Sequence, residues 1–171
     1  MFTITRLNHA VLYVRDATVA LDFYRDVLGF TVVESMGPQA HFLRASGSDN
    51  HHDLGLFGIG PEAPPPTRGE RVGLYHLAWE VATLPDLATA RVTLANAGAL
   101  TGQSDHGASL SLYAQDPDGN QFELFWLIPR DEWATRAFGT RPLDLEGELA
   151  RRGHGVDGAA DTRTSVDQRV T

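Results

Sequence analysis

Apolar and polar positions fall into the same order twice along this chain. Leu7-Asn8-His9-Ala10-Val11-Leu12-Tyr13-Val14 is an apolar run with an imidazole at its third position, and Leu74-Tyr75-His76-Leu77-Ala78-Trp79-Glu80-Val81 repeats it. Both read as strands. After the first, Asp16 can cap a helix through Thr18–Leu28, where Leu21, Tyr24 and Leu28 return at the spacing of one apolar face and Gly29 supplies a stop. Phe23 and Tyr24 are expected to pack that helix. Three short strands follow, Phe30–Glu34, His41–Ala45 and Leu54–Ile59, separated by turn-rich segments. After the second histidine strand the spacing predicts a helix from Leu84 to Ala97 ended by Gly98. Strands near Leu100, at Leu110–Ala114 and at Gln121–Leu127 come next, the last introduced by the turn Asp116-Pro117-Asp118-Gly119-Asn120.

The repeated order gives a strand–helix–three-strand module over 1–60 and another over 73–128. Between them, 61–72 is rich in proline and glycine and cannot continue a sheet, because proline removes a backbone donor. Residues 129–150 form a partly helical extension, in which a short helix over Arg130–Gly139 would pack Trp133 and Phe138 on the sheet. The polar tail 151–171 is expected to be mobile. Of the remaining histidines, His41 reads as structural and His154 as exposed.

Composition narrows the function classes. With 171 residues, 42% hydrophobic and 21% charged, the chain is an ordinary globular protein able to bury one shared core. No apolar run approaches the ~18 residues of a membrane span, and Met1–Arg6 does not look like a signal peptide. The formal charge of −8, with scattered basic residues, argues against nucleic acid as a partner. The chain has no cysteine, so any transition metal must be held by nitrogen and oxygen, and a reducing cytoplasm is the default compartment.

Glu123 then stands out. Phe122-Glu123-Leu124-Phe125-Trp126 sets a carboxylate inside an apolar strand, where an unpaired charge is costly unless hydrogen-bonded or bound to a cation. Two imidazoles placed alike and one carboxylate make up the 2-His-1-carboxylate set that holds Fe(II) with positions left open. The blander reading makes His9 and His76 ordinary strand histidines, and pairs Glu123 with an arginine or leaves it on an exposed edge.

Together these residues resemble the vicinal oxygen chelate superfamily over roughly residues 5 to 135, and within it the type I extradiol ring-cleavage dioxygenases. The resemblance implies an α+β fold in which two βαβββ modules pair into an incomplete eight-stranded barrel around a metal site. It carries the family's metal ligands onto His9, His76 and Glu123. His52 (in His52-Asp53), His106 (in His106-Gly107) and Tyr113, ten positions before Glu123, fall where that family keeps its further site residues. His52 would be the acid/base, with His51 as the alternative, and Tyr113 and His106 would hydrogen-bond the substrate oxygens. The metal would be Fe(II), with Mn(II) as the alternative, and the reaction would cleave a small catechol-like diol with dioxygen.

Glyoxalase-like relatives usually add a fourth ligand, a further glutamate from the last strand of the first module. If Leu54-Gly55-Leu56-Phe57 is superposed on Phe122-Glu123-Leu124-Phe125, that position is Gly55. Three donors leave room for a diol and dioxygen. A metal-dependent isomerase or lyase would need a further ligand from Gln39, Glu34 or water, and a metal-free ligand-sequestering protein of the same fold is the third reading. An acidic surface with an apolar sheet edge would also permit a homodimer.

Overall fold

The computed structural model describes residues 1–153 apart from 68 and 71. The tail from 154 onward, including His154, lies outside the described residues. The fold is α+β. Its first module runs β1 (Ala10–Val14), α1 (Ala17–Asp26), β2 (Thr31–Met36), β3 (Ala40–Arg44) and β4 (Leu54–Gly58). The second runs β5 (Leu77–Glu80), α2 (Leu84–Asn96), β6 (Leu100–Asp105), β7 (Ser109–Gln115) and β8 (Gln121–Leu127). A 3-10 helix (Arg130–Thr135) and α3 (Leu145–Arg151) follow.

Both helices start where the sequence places a cap. The Asp16 carboxylate accepts from the backbone N–H of Thr18 at 2.8 Å and of Val19 at 3.2 Å. Thr83 and Asp86 cap each other's backbone across the first turn of α2, with Pro85 in a position that needs no donor. Gly29 and Gly98 follow the helices at φ +72° and +67°, a left-handed backbone that glycine adopts without a Cβ penalty.

The strands form two separate four-stranded sheets, β1-β4-β3-β2 and β5-β8-β7-β6. Each has its first and last strands parallel and its other pairs antiparallel. The registers repeat: Val11 sits opposite Gly55, and Ala78 opposite Glu123. Even the irregularities correspond, with a shift between Val32 and Glu34 in one sheet and between Leu100 and Gly102 in the other. The eight strands expected of two βαβββ modules are thus present as two four-stranded sheets that do not close on one another.

Strand alternation sets which side each residue takes. Leu12, Val14, Leu54 and Leu56 are buried in the core that α1 covers, and Phe122 and Leu124 in the core that α2 covers. Burying each such side chain is worth roughly 1.5–3 kcal/mol. A one-residue slip would therefore cost several of these at once, so the apolar set fixes Glu123 on the opposite face.

Side chains on α1 and on the residues flanking it also join the two modules. Phe23 meets Phe122 with ring centroids 6.1 Å apart, Phe30 meets Trp79 at 5.2 Å, and the Tyr24 hydroxyl donates to Asp116 at 3.3 Å. Arg15 bonds Asp118 through both its backbone N–H and its guanidinium. Phe23 and Tyr24 thus serve packing, as their spacing predicted.

Three expectations change. His9 and His76 lie just ahead of their strands rather than within them, since β1 opens at Ala10 and β5 at Leu77. The helix expected over Arg130–Gly139 shortens to a 3-10 helix. Trp133 is tied to the Ile128 carbonyl at 2.7 Å, but Phe138 is 95% exposed rather than packed on the sheet.

Candidate functional site

The site residues assemble in two groups. The first belongs to the second module. His76 Nε2 lies 3.1 Å from Glu123 Oε2, because the parallel pairing of β5 with β8 sets the residue before β5 beside the middle of β8. Tyr113 is the direct antiparallel neighbour of Glu123. Its hydroxyl shares a 2.6 Å hydrogen bond with His106 Nε2, and its ring lies 6.1 Å from that of His76. Burial, then the Glu123 charge, push the Tyr113 hydroxyl above its ordinary pKa, so at neutral pH it stays a donor.

His106 is held by the C-terminal extension. Thr140 Oγ1 lies 3.3 Å from His106 Nδ1, and Asp105 forms a two-bond backbone bridge with Arg141. The Asp105 carboxylate accepts from the Gly107 N–H at 2.7 Å, from Arg136 at 3.0 Å and from Arg141 at 3.1 Å. Burial opposes that charge, yet these hydrogen bonds outweigh it and hold Asp105 below the usual carboxylate range. Gly107 has φ +86°, and a β-carbon there would run into the Ala137 carbonyl, so the extension needs glycine at this point.

The second group belongs to the first module. His9 stacks on His52 with centroids 4.6 Å apart, and its Nδ1 lies 3.1 Å from Asn8 Oδ1. His51 touches His52 from the other side, with Nδ1 atoms 3.1 Å apart. Partial burial, then the neighbouring His9 and His51, lower the His52 pKa, while Asp53 and Glu34 pull it back up. Below them Asp53 bolts the loop, accepting from the Ala45 N–H at 2.9 Å, Ser48 Oγ at 2.8 Å and Asn50 Nδ2 at 2.7 Å. His41 is buried against Ser35 Oγ at 2.8 Å, the structural role its position suggested.

Of the six residues singled out, His76, Glu123, Tyr113 and His106 are brought together, and so are His9 and His52. The two sets stay apart. Among the described residues no three histidine or carboxylate side chains converge to hold a cation. The donors suit a metal in kind. Two donors of one octahedral centre at ~2.1 Å stand roughly 3 Å apart, and the His76–Glu123 contact has that spacing. His76 Nδ1 is buried without a hydrogen-bond partner among the described residues. Two of the three candidate donors thus adjoin, and His9, the third, lies apart from them.

Sequence reasoning had no means of finding the Asp105 clamp, since Arg136 and Arg141 carry no motif and approach from a separate segment. A groove of about 590 Å³, lined by Val11, Tyr13, Tyr75 and Gln121 among others, borders the His76 side. The larger cleft between α1 and α2 contains none of the six residues.

The sequence profile of the Glyoxalase/Bleomycin resistance protein/Dioxygenase superfamily matches residues 6–124. The chain belongs to this superfamily. Among curated superfamily relatives, it is 31% identical over 154 residues to "Catechol-2,3-dioxygenase" of Bacillus subtilis (strain 168), covering 87% of this chain and 53% of that protein. It is 37% identical over 120 residues to "Biphenyl-2,3-diol 1,2-dioxygenase 3" of Rhodococcus globerulus, covering 70% of this chain and 62% of the relative. The chain therefore spans about half to three-fifths of the length of these proteins. A solved glyoxylase/bleomycin resistance protein/dioxygenase domain from Frankia sp. EAN1pec superposes with a TM-score of 0.62 at 22% identity, covering 74% of this chain and all of that one, which supports the superfamily fold.

Proposed function

We propose that this chain is an Fe(II)-dependent extradiol dioxygenase acting on a small catechol-like diol, with Mn(II) as the alternative metal. The observation that carries the reading is the His76–Glu123 contact, set at a register whose counterpart in the first sheet is Gly55 and offers no carboxylate. His9, His76 and Glu123 would be the ligands. Three donors with a single negative charge leave places for two diol oxygens and one end of dioxygen, whereas a carboxylate as fourth ligand would close one of them.

The bound metal would supply a common centre for diol and dioxygen and the transfer of electrons between them. The chain's own groups do the rest. His52, held in its neutral form by the environment described, takes a proton from one diol hydroxyl and later returns it. Tyr113, backed by His106, donates a hydrogen bond to a substrate oxygen. Both atoms of dioxygen enter the product, the ring opens beside the diol to an aldehyde and a carboxylate, and the diol itself provides the electrons. No external reductant is needed.

The names of the relatives support the substrate class. The reading is tested by purifying the protein without oxygen, measuring its metal, and adding catechol in air. Fe(II) or Mn(II), consumption of oxygen and a yellow ring-opened product are expected. Zinc or nickel with oxygen-independent isomerase activity would overturn it in favour of a glyoxalase-like enzyme, and a chain that takes up no metal would favour ligand sequestration.

A further inference from the structure

We infer that Thr140, in the C-terminal extension, is a positioning residue that sets the direction of the hydrogen bond between His106 and Tyr113 and so leaves the Tyr113 hydrogen free for a substrate oxygen. The chain of donors runs from the Thr140 hydroxyl to His106 Nδ1, from His106 Nε2–H to the Tyr113 oxygen, and from the Tyr113 hydroxyl to the diol. The last link rests on the dioxygenase reading above. The first two do not.

Backbone register places Thr140. Asp105 and Arg141 exchange both N–H to carbonyl bonds at 2.9 Å, an antiparallel bridge that sets the residue before Arg141 beside the residue after Asp105. Those two residues are Thr140 and His106. The extension is also pinned on either side of this bridge, because Arg136 bonds Glu148 at 2.8 Å as well as Asp105, and Gly107 lets the Ala137 carbonyl approach where a β-carbon would collide with it. Thr140 Oγ1 accordingly lies 3.3 Å from His106 Nδ1, while His106 Nε2 lies 2.6 Å from the Tyr113 hydroxyl. Both ring nitrogens are engaged, one by the extension and one by the site. The superfamily profile ends at residue 124, so Thr140 comes from a segment beyond it.

A neutral imidazole carries one hydrogen, so one nitrogen donates, the other accepts, and the partner of either fixes the tautomer. Two arrangements satisfy both bonds. In one, Tyr113 donates to Nε2 and Nδ1–H donates to Thr140, which leaves the phenol only an acceptor towards the site and strands the spare hydrogen on Thr140. In the other, Thr140 donates to Nδ1 and Nε2–H donates to Tyr113, which keeps the spare hydrogen inside the site. The number of bonds is equal, so the surroundings of the two ends decide. Glu123 is the direct antiparallel neighbour of Tyr113, and its negative charge acts on that hydroxyl and attracts the phenol hydrogen to the site. Thr140 is exposed, so water satisfies its oxygen when its hydrogen turns inward. A diol oxygen that has given up its proton is a further acceptor at the Tyr113 end, and a bond to a charged acceptor is the stronger kind.

The test uses the full chain, isotope-labelled at the histidine nitrogens and studied before iron is loaded. Long-range proton–nitrogen NMR spectra separate a protonated ring nitrogen from a bare one. His106, assigned by its loss in His106→Ala, should be protonated at Nε2 and bare at Nδ1. Thr140→Val keeps the shape and removes the donor, so it should leave His106 divided between the two tautomers, and Thr140→Ser should restore the wild-type pattern. Wild-type His106 protonated at Nδ1, or an unchanged pattern in Thr140→Val, would overturn the inference.

Kinetics of the iron-loaded protein supply the second readout. Thr140→Val should raise KM for catechol about fivefold to tenfold, the scale of one lost hydrogen bond, with iron content unchanged. In a His106→Ala background the same substitution should change KM by less than about twofold, because the link through which it acts is gone. An equally large effect in that background would sink the proposal. A chain that shows the expected tautomers but takes up no iron and consumes no oxygen would remove the dioxygenase reading and uphold the Thr140–His106–Tyr113 direction.

Discussion

Gly55 occupies in the first sheet the place that Glu123 occupies in the second, each opposite the second residue of its neighbouring parallel strand. A carboxylate introduced at Gly55 would add a fourth donor, and a second acidic one, to the proposed site. A β-carbon there lies 3.3 Å from Val11 Cγ2 and 3.6 Å from the Phe42 ring, so Val11 must yield by a few tenths of an ångström. Gly55→Glu is expected to retain metal and to lose ring cleavage by at least about tenfold, or ~1.4 kcal/mol in the barrier. Gly55→Ala separates crowding from charge and should keep most activity. Steady-state oxygen uptake by the two variants measures the difference.

His76→Ala and Glu123→Gln should each abolish Fe(II) binding and turnover while the chain stays folded. Glu123 lies in a buried strand interior with His76 as its hydrogen-bonding partner, so the glutamine keeps its shape while removing the charge. Metal analysis and circular dichroism check both halves of this expectation. Unchanged iron in His76→Ala would remove the proposed ligand set.

His52→Ala should keep its metal and lose most of the rate, about 10²–10⁴-fold if the imidazole is the acid/base. His51→Ala serves as the comparison, since the two rings touch. Full activity in His52→Ala with loss in His51→Ala would transfer the role to His51.

The pair formed by His106 and Tyr113 depends on a remote clamp. Asp105→Asn leaves the backbone bridge to Arg141 but removes the charge that Arg136 and Arg141 share. It should destabilise the protein by about 1–3 kcal/mol, the cost of leaving charged groups short of a partner. A rise in KM is also expected as His106 loosens. Tyr113→Phe should weaken diol binding without changing stability by as much. Thermal denaturation and a split of KM against kcat separate the two effects.

Acid should unfold the protein through its hydrogen-bonded carboxylates. Asp53 is held below its ordinary value of 3.8: burial opposes the charge, but bonds from Asn50, the Ala45 N–H and Ser48 outweigh it. Asp105 and Glu148 are held down in the same way. A lowered folded-state pKa means that the unfolded chain takes up protons first. This stability is therefore present above the ordinary carboxylate range and is lost as pH falls through and below it. Asp116 works in the opposite sense, because burial raises it, so that on acidification the folded state takes up this proton before the unfolded chain does. Melting temperature should fall steeply below about pH 4, and Asp53→Asn should flatten that slope while lowering stability at neutral pH.

Much of the fold was legible because its signals are local. The Asp16 cap, the helix start at Leu84, the glycine stops and the full extent of β8 are each written within a few residues. Within β8, alternation sets Glu123 on the face opposite Phe122 and Leu124. The segment after Pro129 was less legible. Its two aromatics suggested packing, yet a 3-10 turn leaves Phe138 in solvent, and the described part is held by ion pairs of Arg136 and Arg152 with Glu148 and Glu132 that have no periodic signature.

The sequence by itself determined the duplicated order of elements, the inventory of two histidines and one carboxylate, and the empty place at Gly55, because each follows from periodicity and from comparing one half of the chain with the other. Only the tertiary structure decided which of those groups meet. His76 reaches Glu123 through the parallel β5–β8 pairing inside one module, while His9 stays with His52 because the helix-side cores join the modules and turn their other faces outward. That choice depends on burial between distant segments, which no local pattern encodes.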